Sequence, residues 1–350
     1  MRQLSLLLLT GLFVAGCDQP IEPEGTTFPA VLQASRTAAG YKVIDLGSGT
    51  AYDINNRGQV VGYSYDEADT RHAFLWEEGR MINLGALGGT YAHSDASTIN
   101  DHGQIVGQSY TEAGTRHAFL WEKGVMTDLG TLGGRNSGAG GINDRGQVVG
   151  WAWTGTGWPG HAFLWENGAM IDLGTLEELG GYASEAKAIN NRGQVVGGYH
   201  TVSGEWRAFL WQKGTMTDLG TLGGAEALAY AINNHGQVVG RRYTTLYHPG
   251  EHHAFLWENG VTTNLGTLGG NRSTAWAIND RGQVVGSSET GSGEVHAFLW
   301  DKGVMTDLGT LGSGYSASAL GINNRGQVVG QSSTESGEHH AVIWTVHTVR

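Results

Sequence analysis

Six histidines occupy one repeated position of this sequence, directly before an Ala-Phe or Ala-Val pair, where metal binding is the first chemistry to consider. They are His72, His117, His161, His253, His296 and His340. Equivalent residues of a repeat are spread apart in space and cannot converge on one ion, so we predict structural hydrogen bonds for them. A denser group, His248, His252 and His253, has no zinc-type spacing and no cysteine beside it. We therefore predict no metal and no cofactor.

Repeated carboxylates are the next candidates, as general acids or bases. A second repeated position carries aspartate in five copies and asparagine in two: Asp45, Asp128, Asp172, Asp218, Asp307, Asn83 and Asn264. A neutral amide serves equally well there, which predicts turn or backbone hydrogen bonding rather than ionisation.

Three further carboxylates, Glu177, Glu178 and Glu185, lie in the one enlarged connection between repeats. A glycosidase or lyase would need such groups on both sides of a cleft, and the sequence offers no partner for them. It also contains no serine-nucleophile elbow, no H-E-x-x-H zinc motif and no phosphate-binding glycine loop. We predict that the protein is not an enzyme, with glycan cleavage by these glutamates as a minor alternative.

These residues belong to three phrases that recur in fixed order seven times: D-L-G-T-L-G-G, A-I-N-x-x-G-Q-V-V-G and H-A-F-L-W-E-x-G. The tryptophans that end the third phrase lie 43 to 46 residues apart: Trp76, Trp121, Trp165, Trp211, Trp257, Trp300 and Trp344. This period, with four short strand-like segments in each copy, is typical of a β-propeller. We predict an all-β fold, a seven-bladed β-propeller of four-stranded antiparallel blades.

The phrases also predict the strands of each blade, which we name A (A-I-N), B (Q-V-V-G), C (A-F-L-W) and D (D-L-G). Strands B and C are apolar runs bounded by glycine. Along residues 117–121 both faces of the strand are apolar, so it must be covered on both sides by neighbouring blades. Residues 142–147, I-N-D-R-G-Q, are typical of a hairpin turn between strands A and B.

The two ends of the repeat region complement each other. The first D-L-G phrase, at residues 41–47, precedes any strand C, and the last repeat has no D-L-G phrase after it. We predict that the strand at residues 43–46 completes the last blade as its outermost strand. The ring would then close much as WD-repeat propellers do, leaving no long unpaired edge.

The N-terminus indicates export. Residues 4–14 form an apolar run that is too short to span a bilayer and is typical of a signal peptide. The run ends in V-A-G-C, which resembles the bacterial lipobox, and Cys17 is the only cysteine of the chain. We predict a lipoprotein signal peptide at 1–16, a lipidated Cys17 with a flexible tether at 17–40, and the propeller at 41–350. The protein would be membrane-anchored in the periplasm or at the cell surface.

Charge narrows the range of partners. A formal net charge of −12 argues against nucleic acid as a partner, because phosphate binding needs a basic face.

A closed ring of about 300 residues has a core large enough to be stable without disulfides, and we expect it to be monomeric.

Function is expected where the repeats differ. The turns between strands A and B and between C and D keep their lengths, whereas the B–C loops and D–A crossovers on the opposite face vary. Aromatic residues concentrate on that variable face, and the candidate ligand contacts are Trp151, Trp153, Trp158, Tyr199, Trp206, Tyr243, Tyr247 and Trp276. Such aromatics suit stacking on sugar rings or a protein interface. The alternative for Trp151 and Trp153 is that they extend strand B and pack between blades.

The phrases H-A-F-L-W-E-x-G and M-T-D-L-G-T-L-G-G closely resemble the HAF-type extracellular repeat family, from residue 41 to the C-terminus. The resemblance implies a bacterial protein exported beyond the cytoplasmic membrane. It does not assign an activity to any residue of this sequence. We therefore predict a membrane-anchored binding module that recognises a glycan or an extracytoplasmic partner protein through the variable face. The alternative is a non-catalytic envelope scaffold.

Overall fold

The computed structural model describes residues 27–28, 34–36, 41–88, 93–155, 159–244 and 250–346. Cys17, Trp158, Tyr247 and His248 lie outside these residues. No helix among the described residues is long and apolar enough to cross a membrane.

The described chain consists of twenty-nine strands and one short 3-10 helix. Two short strands come first, β1 (Thr27–Phe28) and β2 (Ala34–Arg36). The first blade contains β3 (Tyr41–Ile54), β4 (Val60–Tyr65), β5 (Arg71–Glu77) and β6 (Arg80–Asn83). The second contains β7 (Ser94–Ile99), β8 (Ile105–Tyr110), β9 (Arg116–Glu122) and β10 (Val125–Asp128). The third contains β11 (Ser137–Ile142), β12 (Val148–Trp153), β13 (Gly160–Glu166) and β14 (Ala169–Gly174).

The short helix η1 (Glu177–Leu179) precedes the next blade. This fourth blade contains β15 (Gly181–Ile189), β16 (Val195–Thr201), β17 (Trp206–Gln212) and β18 (Thr215–Gly220). The fifth contains β19 (Glu226–Ile232), β20 (Val238–Tyr243), β21 (His252–Glu258) and β22 (Val261–Gly266). The sixth contains β23 (Gly269–Ile278), β24 (Val284–Thr290), β25 (Val295–Asp301) and β26 (Val304–Gly309). The last group contains β27 (Ala317–Ile322), β28 (Val328–Ser333) and β29 (His339–Val346).

Within each blade the four strands pair antiparallel in chain order. Strand β3 serves two sheets: its first half pairs with β29, with Val43 opposite Trp344, and its second half pairs with β4, with Ile54 opposite Val60. Gly47 and Gly49, both at positive φ, lie where β3 passes from one sheet to the other. The A strands of successive blades contact one another, and β27 contacts β3.

Two short segments of the predicted tether pair with sheet edges. Strand β2 pairs with β3, with Ser35 opposite Val43, and β1 pairs with β6, with Phe28 opposite Met81. These five residues therefore extend two sheets instead of forming part of a free linker.

The core lies between neighbouring blades, as the apolar faces of strand C predict. One cluster packs Leu75 of the first blade against Ile105 and Phe119 of the second, and further clusters join the blades that follow. The six phenylalanines of the A-F-L-W phrase are completely buried: Phe74, Phe119, Phe163, Phe209, Phe255 and Phe298. Each buried phenylalanine contributes about 2 kcal/mol of hydrophobic stabilisation. The prediction that strand C is covered on both sides is confirmed.

Five of the six repeated histidines link strand C to strand D, whereas His72 contacts Asp66 in the B–C loop. His117 Nδ1 lies 2.8 Å from the Asp128 carboxylate, and equivalent contacts join His161, His296 and His340 to the aspartates at the same repeat position. Where Arg207 replaces histidine it donates to Asp218. In every copy the aspartate or asparagine at this repeat position also accepts a hydrogen bond from the backbone N–H two residues later. An example is the bond from Gly130 N–H to the Asp128 carboxylate. The structural roles predicted for both repeated positions are confirmed.

A series of asparagine side chains joins the A–B turns of successive blades. Within the described residues, the Asn55 amide donates to the backbone carbonyl of Asn100 in the next blade, and the same bond recurs from blade to blade. The series ends with Asn323 donating to Asn55. A parallel series runs through the following residue, where the Asn56 backbone N–H donates to Asp101 and the Asn324 N–H donates to Asn56.

Replacing Asn233 with aspartate should destabilise the protein. The Asn233 amide donates to Gln237 Oε1 and the Asn279 carbonyl, while its oxygen accepts two backbone N–H groups. A carboxylate would lose both donors and face two acceptors in a buried site. We expect the free energy of unfolding to fall by about 3 kcal/mol in urea titrations.

Asn264→Asp in the same blade is the matched control. Aspartate occupies this repeat position in five other copies, so the free energy of unfolding should change by no more than about 0.5 kcal/mol. Equal losses in the two variants would contradict a special role for the asparagine series.

Candidate functional site

The B strands decide which variable residues reach a ligand. After the Q-V-V-G glycine, the first and third residues are partly exposed in most blades and the second is buried in most, because side chains alternate across the sheet. Tyr199 holds the second position, is 0% exposed and belongs to the core between two blades. Burial raises the pKa of its hydroxyl to about 12. The prediction that Tyr199 contacts a ligand is therefore wrong.

Four predicted tryptophans are half-buried rather than freely displayed. Trp151 and Trp153 lie within β12, as the packing alternative predicts, and Trp153 lies against Gly160. The Trp206 ring packs on His200 with 5.0 Å between centroids. Trp276 stacks at a tilt on Tyr230 at 4.6 Å and its Nε1–H donates to Ser287 Oγ at 3.3 Å.

A cavity of about 300 Å³ opens between the first and second blades on the variable face. We call it the first inter-blade pocket. It is lined by Tyr65, Arg71, His93, Asp95, Gln108, Ser109, Tyr110 and Arg116. Its lining brings two tyrosines together with cationic, anionic and amide side chains.

The polar floor of this pocket is held in place by its own contacts. The Arg71 guanidinium forms an ion pair with Asp95 of the next blade and stacks on Tyr63, 3.5 Å from the ring centroid. Gln108 donates to the second oxygen of Asp95 at 3.3 Å, and Arg71 donates to the Tyr52 hydroxyl at 3.4 Å. Burial raises the pKa of Tyr52 to about 12, so its hydroxyl stays protonated. The donors and acceptors are thus pre-positioned for a polar ligand.

The rim of the pocket is aromatic. Tyr65 is 39% exposed, and the ring of Tyr110 meets that of His93 edge-on at 6.2 Å. The Arg116 guanidinium lies 5.7 Å from the centroid of the Trp151 ring, which places one of the predicted aromatics directly behind the pocket wall.

A second cavity, of about 230 Å³, lies between the fifth and sixth blades at the equivalent position. We call it the second inter-blade pocket, and it is lined by His252, Arg272, Ser273, Thr274, Ser287, Ser288, Glu289, Gly293 and Val295. In the repeat alignment His252 corresponds to Arg71 of the first pocket and Thr274 to Asp95. Two predicted aromatics adjoin it: Tyr243 lies 5.3 Å from the His252 ring, and Trp276 bonds to Ser287.

The three candidate catalytic glutamates do not form a described acid–base pair. Glu177 and Glu178 are exposed on η1, whereas Glu185 lies on β15 and forms an ion pair with Lys187 at 3.0 Å. Among the described residues no group of three or more His, Cys, Asp or Glu side chains is placed to hold a metal ion.

Sequence reasoning missed Arg71, Asp95, Gln108 and Arg116, because each looks ordinary within its own repeat. The pocket forms only where the start of one strand C meets strands A and B of the next blade. The sequence does contain a signal, because the residues at these positions differ between repeats. It becomes visible when the positions of two neighbouring repeats are considered together.

His252 should make the protein acid-sensitive. Burial, followed by the charges of Arg241 and Arg272, lowers the pKa of His252 from 6.5 to about 4. The unfolded chain therefore takes up a proton near pH 6.5 that the folded protein does not accept until about pH 4, so stability is lost as pH falls through this window. We expect the urea midpoint to drop less between pH 7 and pH 4.5 in His252→Asn than in the wild type.

His339→Asn is the control, since His339 holds the equivalent position in the last blade and is exposed. It should reproduce the wild-type pH dependence. An unchanged acid response in His252→Asn would rule out this assignment.

No protein-family model and no curated protein matches the sequence. Solved structures do match. The β-propeller domain of the Trilobed protease from Pyrococcus furiosus is 12% identical, covers 86% of this chain and 97% of its own length, and has a TM-score of 0.57. A puromycin-hydrolyzing peptidase of Mycobacterium tuberculosis is 13% identical over 87% of this chain and 58% of its own, with a TM-score of 0.53.

The acylaminoacyl peptidase of Pyrococcus horikoshii is also similar, at 13% identity, 85% of this chain, 51% of that chain and a TM-score of 0.52. At such identities the likeness concerns the fold alone. Together with the antiparallel four-stranded sheets, it shows that this chain is an all-β protein with the β-propeller fold.

Proposed function

We propose that this protein is a lipid-anchored, extracytoplasmic, non-enzymatic propeller that binds a glycan in the inter-blade pockets of its variable face. The observation that carries the proposal is the first inter-blade pocket, where the exposed Tyr65 and the half-buried Tyr110 adjoin a fixed set of charged and amide groups. A partner protein is the alternative ligand, with the propeller acting as an envelope scaffold.

Sugar chemistry fits this combination. A pyranose presents an apolar C–H face that packs on aromatic rings and a rim of hydroxyls that both donate and accept. Tyr65 and Tyr110 supply the rings, while Asp95 accepts and Gln108 and Arg116 donate. The Arg71–Asp95 pair is already formed, so the binding of a sugar does not have to order these side chains.

A rigid ring of seven blades is part of the proposal. The pairing of β3 with β29 and the asparagine series that ends with Asn323 donating to Asn55 both support closure between the first and last repeats. Seven occurrences of each phrase support the count. A closed ring fixes the distances between neighbouring blades and therefore the shape of every pocket between them.

Export and anchoring are proposed from the N-terminal sequence. The short apolar run followed by V-A-G-C supports a lipoprotein signal, and the resemblance to HAF-type extracellular repeats supports a place outside the cytoplasmic membrane. Acyl chains on Cys17 would hold the protein at the membrane.

The double variant Tyr65→Ala/Tyr110→Ala should lose glycan binding. Each stacking contact contributes about 1 kcal/mol beyond buried area, so we expect about a tenfold or greater loss of affinity for any glycan that the wild type binds. The measurement is a glycan array probed with residues 18–350, followed by calorimetric titration of the hits.

Tyr315→Ala is the matched control, because this tyrosine is 56% exposed but lines neither pocket. It should bind as the wild type does. A wild type that binds no glycan would sink the carbohydrate proposal in favour of the scaffold. Cleavage of the bound glycan, lost on Glu185→Gln, would instead indicate the enzymatic alternative.

Cys17→Ser should release the protein from the membrane. Without the thiol no acyl chain can be attached, so the protein should move from the detergent phase to the aqueous phase in detergent partitioning and lose fatty-acid labelling. Asp18→Asn, which keeps the cysteine, is the control. Unchanged membrane association of Cys17→Ser would contradict the lipid anchor.

A further inference from the structure

The A–B turns present one basic side chain in every repeat, directly after the asparagine series. Five are arginine and two are histidine: Arg57, His102, Arg145, Arg192, His235, Arg281 and Arg325. All seven are exposed. They lie on the face opposite the inter-blade pockets, at the tips of the hairpins that surround the axis. An acidic protein therefore carries a circle of five arginines and two histidines on one face.

The arginines of this circle are not neutralised by neighbouring acids. Among the described residues, none of the five forms an ion pair within 4.0 Å. Neutral glutamines stand between the circle and the acidic C–D turns: Gln59 accepts from Arg57 at 2.6 Å and donates to Glu77 at 2.8 Å. The positive charge is thus available to a ligand from solution.

Glycine lets four of the guanidiniums, those of Arg57, Arg192, Arg281 and Arg325, extend over the next turn. A Cβ added at Gly103 would lie 2.9 Å from Arg57 Nη2, and one at Gly236 would lie 2.7 Å from Arg192 Nη2. Both glycines also have positive φ. These four arginines therefore lie along the circle, each toward the following blade, and not across the axis.

Inside the circle lies an axial cavity of about 210 Å³ whose walls include carboxylates. Asp101 and Asp144 accept hydrogen bonds from neighbouring turns. Burial alone would raise the pKa of Asp280, but the donors of Asn234 and Asn324 outweigh it and hold the pKa below its usual value. These negative charges oppose the entry of an anion into the axial cavity. An anion can therefore bind only at the surrounding circle of basic side chains.

We propose that this basic circle, Arg57 to Arg325, is a binding site for a multivalent phosphate or sulfate ligand whose charged groups are spaced around a ring. Arginine pairs with such groups through two parallel hydrogen bonds. A single small anion can reach few of the arginines, whereas a disc-like polyanion can contact several at once without entering the cavity. Clustered phosphates of an anionic membrane surface have the same chemistry as a soluble polyphosphate.

The test is titration calorimetry of the full propeller, residues 18–350, with inositol hexakisphosphate, with inorganic phosphate and with phosphatidylglycerol vesicles. We expect binding of hexakisphosphate at least about tenfold tighter than that of inorganic phosphate, weakening as salt is raised. Binding to vesicles without binding to hexakisphosphate, and dependent on the circle, would assign the site to a membrane surface. No binding of either polyvalent probe would overturn the proposal.

Three triple variants separate the contribution of the circle from the charge of the whole face. Arg145→Gln/Arg192→Gln/Arg281→Gln should lower the affinity at least about tenfold, whereas lysine at these three positions should retain most of it. The control Lys123→Gln/Lys213→Gln/Lys302→Gln removes the same charge from exposed C–D turns of the same face. Equal losses in the glutamine variant and the control would overturn the proposal. Thermal unfolding of each variant checks that it is folded.

Discussion

The structure depends on one buried side chain in each repeat, the asparagine at the start of the A–B turn. Its oxygen accepts two backbone N–H groups of its own turn, and its amide donates to a glutamine and to the next blade. A single residue therefore shapes the hairpin and connects it to its neighbour. No apolar side chain can do both, because hydrophobic contact has no direction. The interior between blades supplies most of the stabilisation, but the asparagines set how the blades align.

Much of the fold can be predicted from the sequence because its phrases coincide with strands. The apolar Q-V-V-G and A-F-L-W runs identify the buried B and C strands, and the substitution of asparagine for aspartate at Asn83 and Asn264 reveals a hydrogen-bonding position. The His–Asp contacts follow from the same comparison of copies. In each case the sequence pattern lies within a single repeat, and the strand or contact that it predicts lies within a single blade.

The site was harder to predict because it lies between repeats. Tyr199 and Tyr65 both follow a Q-V-V-G phrase, yet one is buried and the other exposed, since they differ by one position in the alternation of the strand. Arg71 and Asp95 belong to different repeats and meet only where the first two blades pack together. The basic circle was hard to predict for the opposite reason. A basic residue at the same position of every repeat looks structural in the sequence, yet the repeated fold brings these seven positions together on one face.

Strand β3 has a consequence for how such a protein can change length. The first half of this strand pairs with the last blade and its second half begins the first, so the first and last blades share one continuous strand. A repeat cannot be trimmed from either terminus without leaving a sheet one strand short. In the closed ring that we propose, repeats can be gained or lost only as whole internal units, and each such event would change the angle between every pair of neighbouring blades. The geometry of such a ring would fix the number of repeats, and point substitutions in the pockets would be the easier route to new specificity.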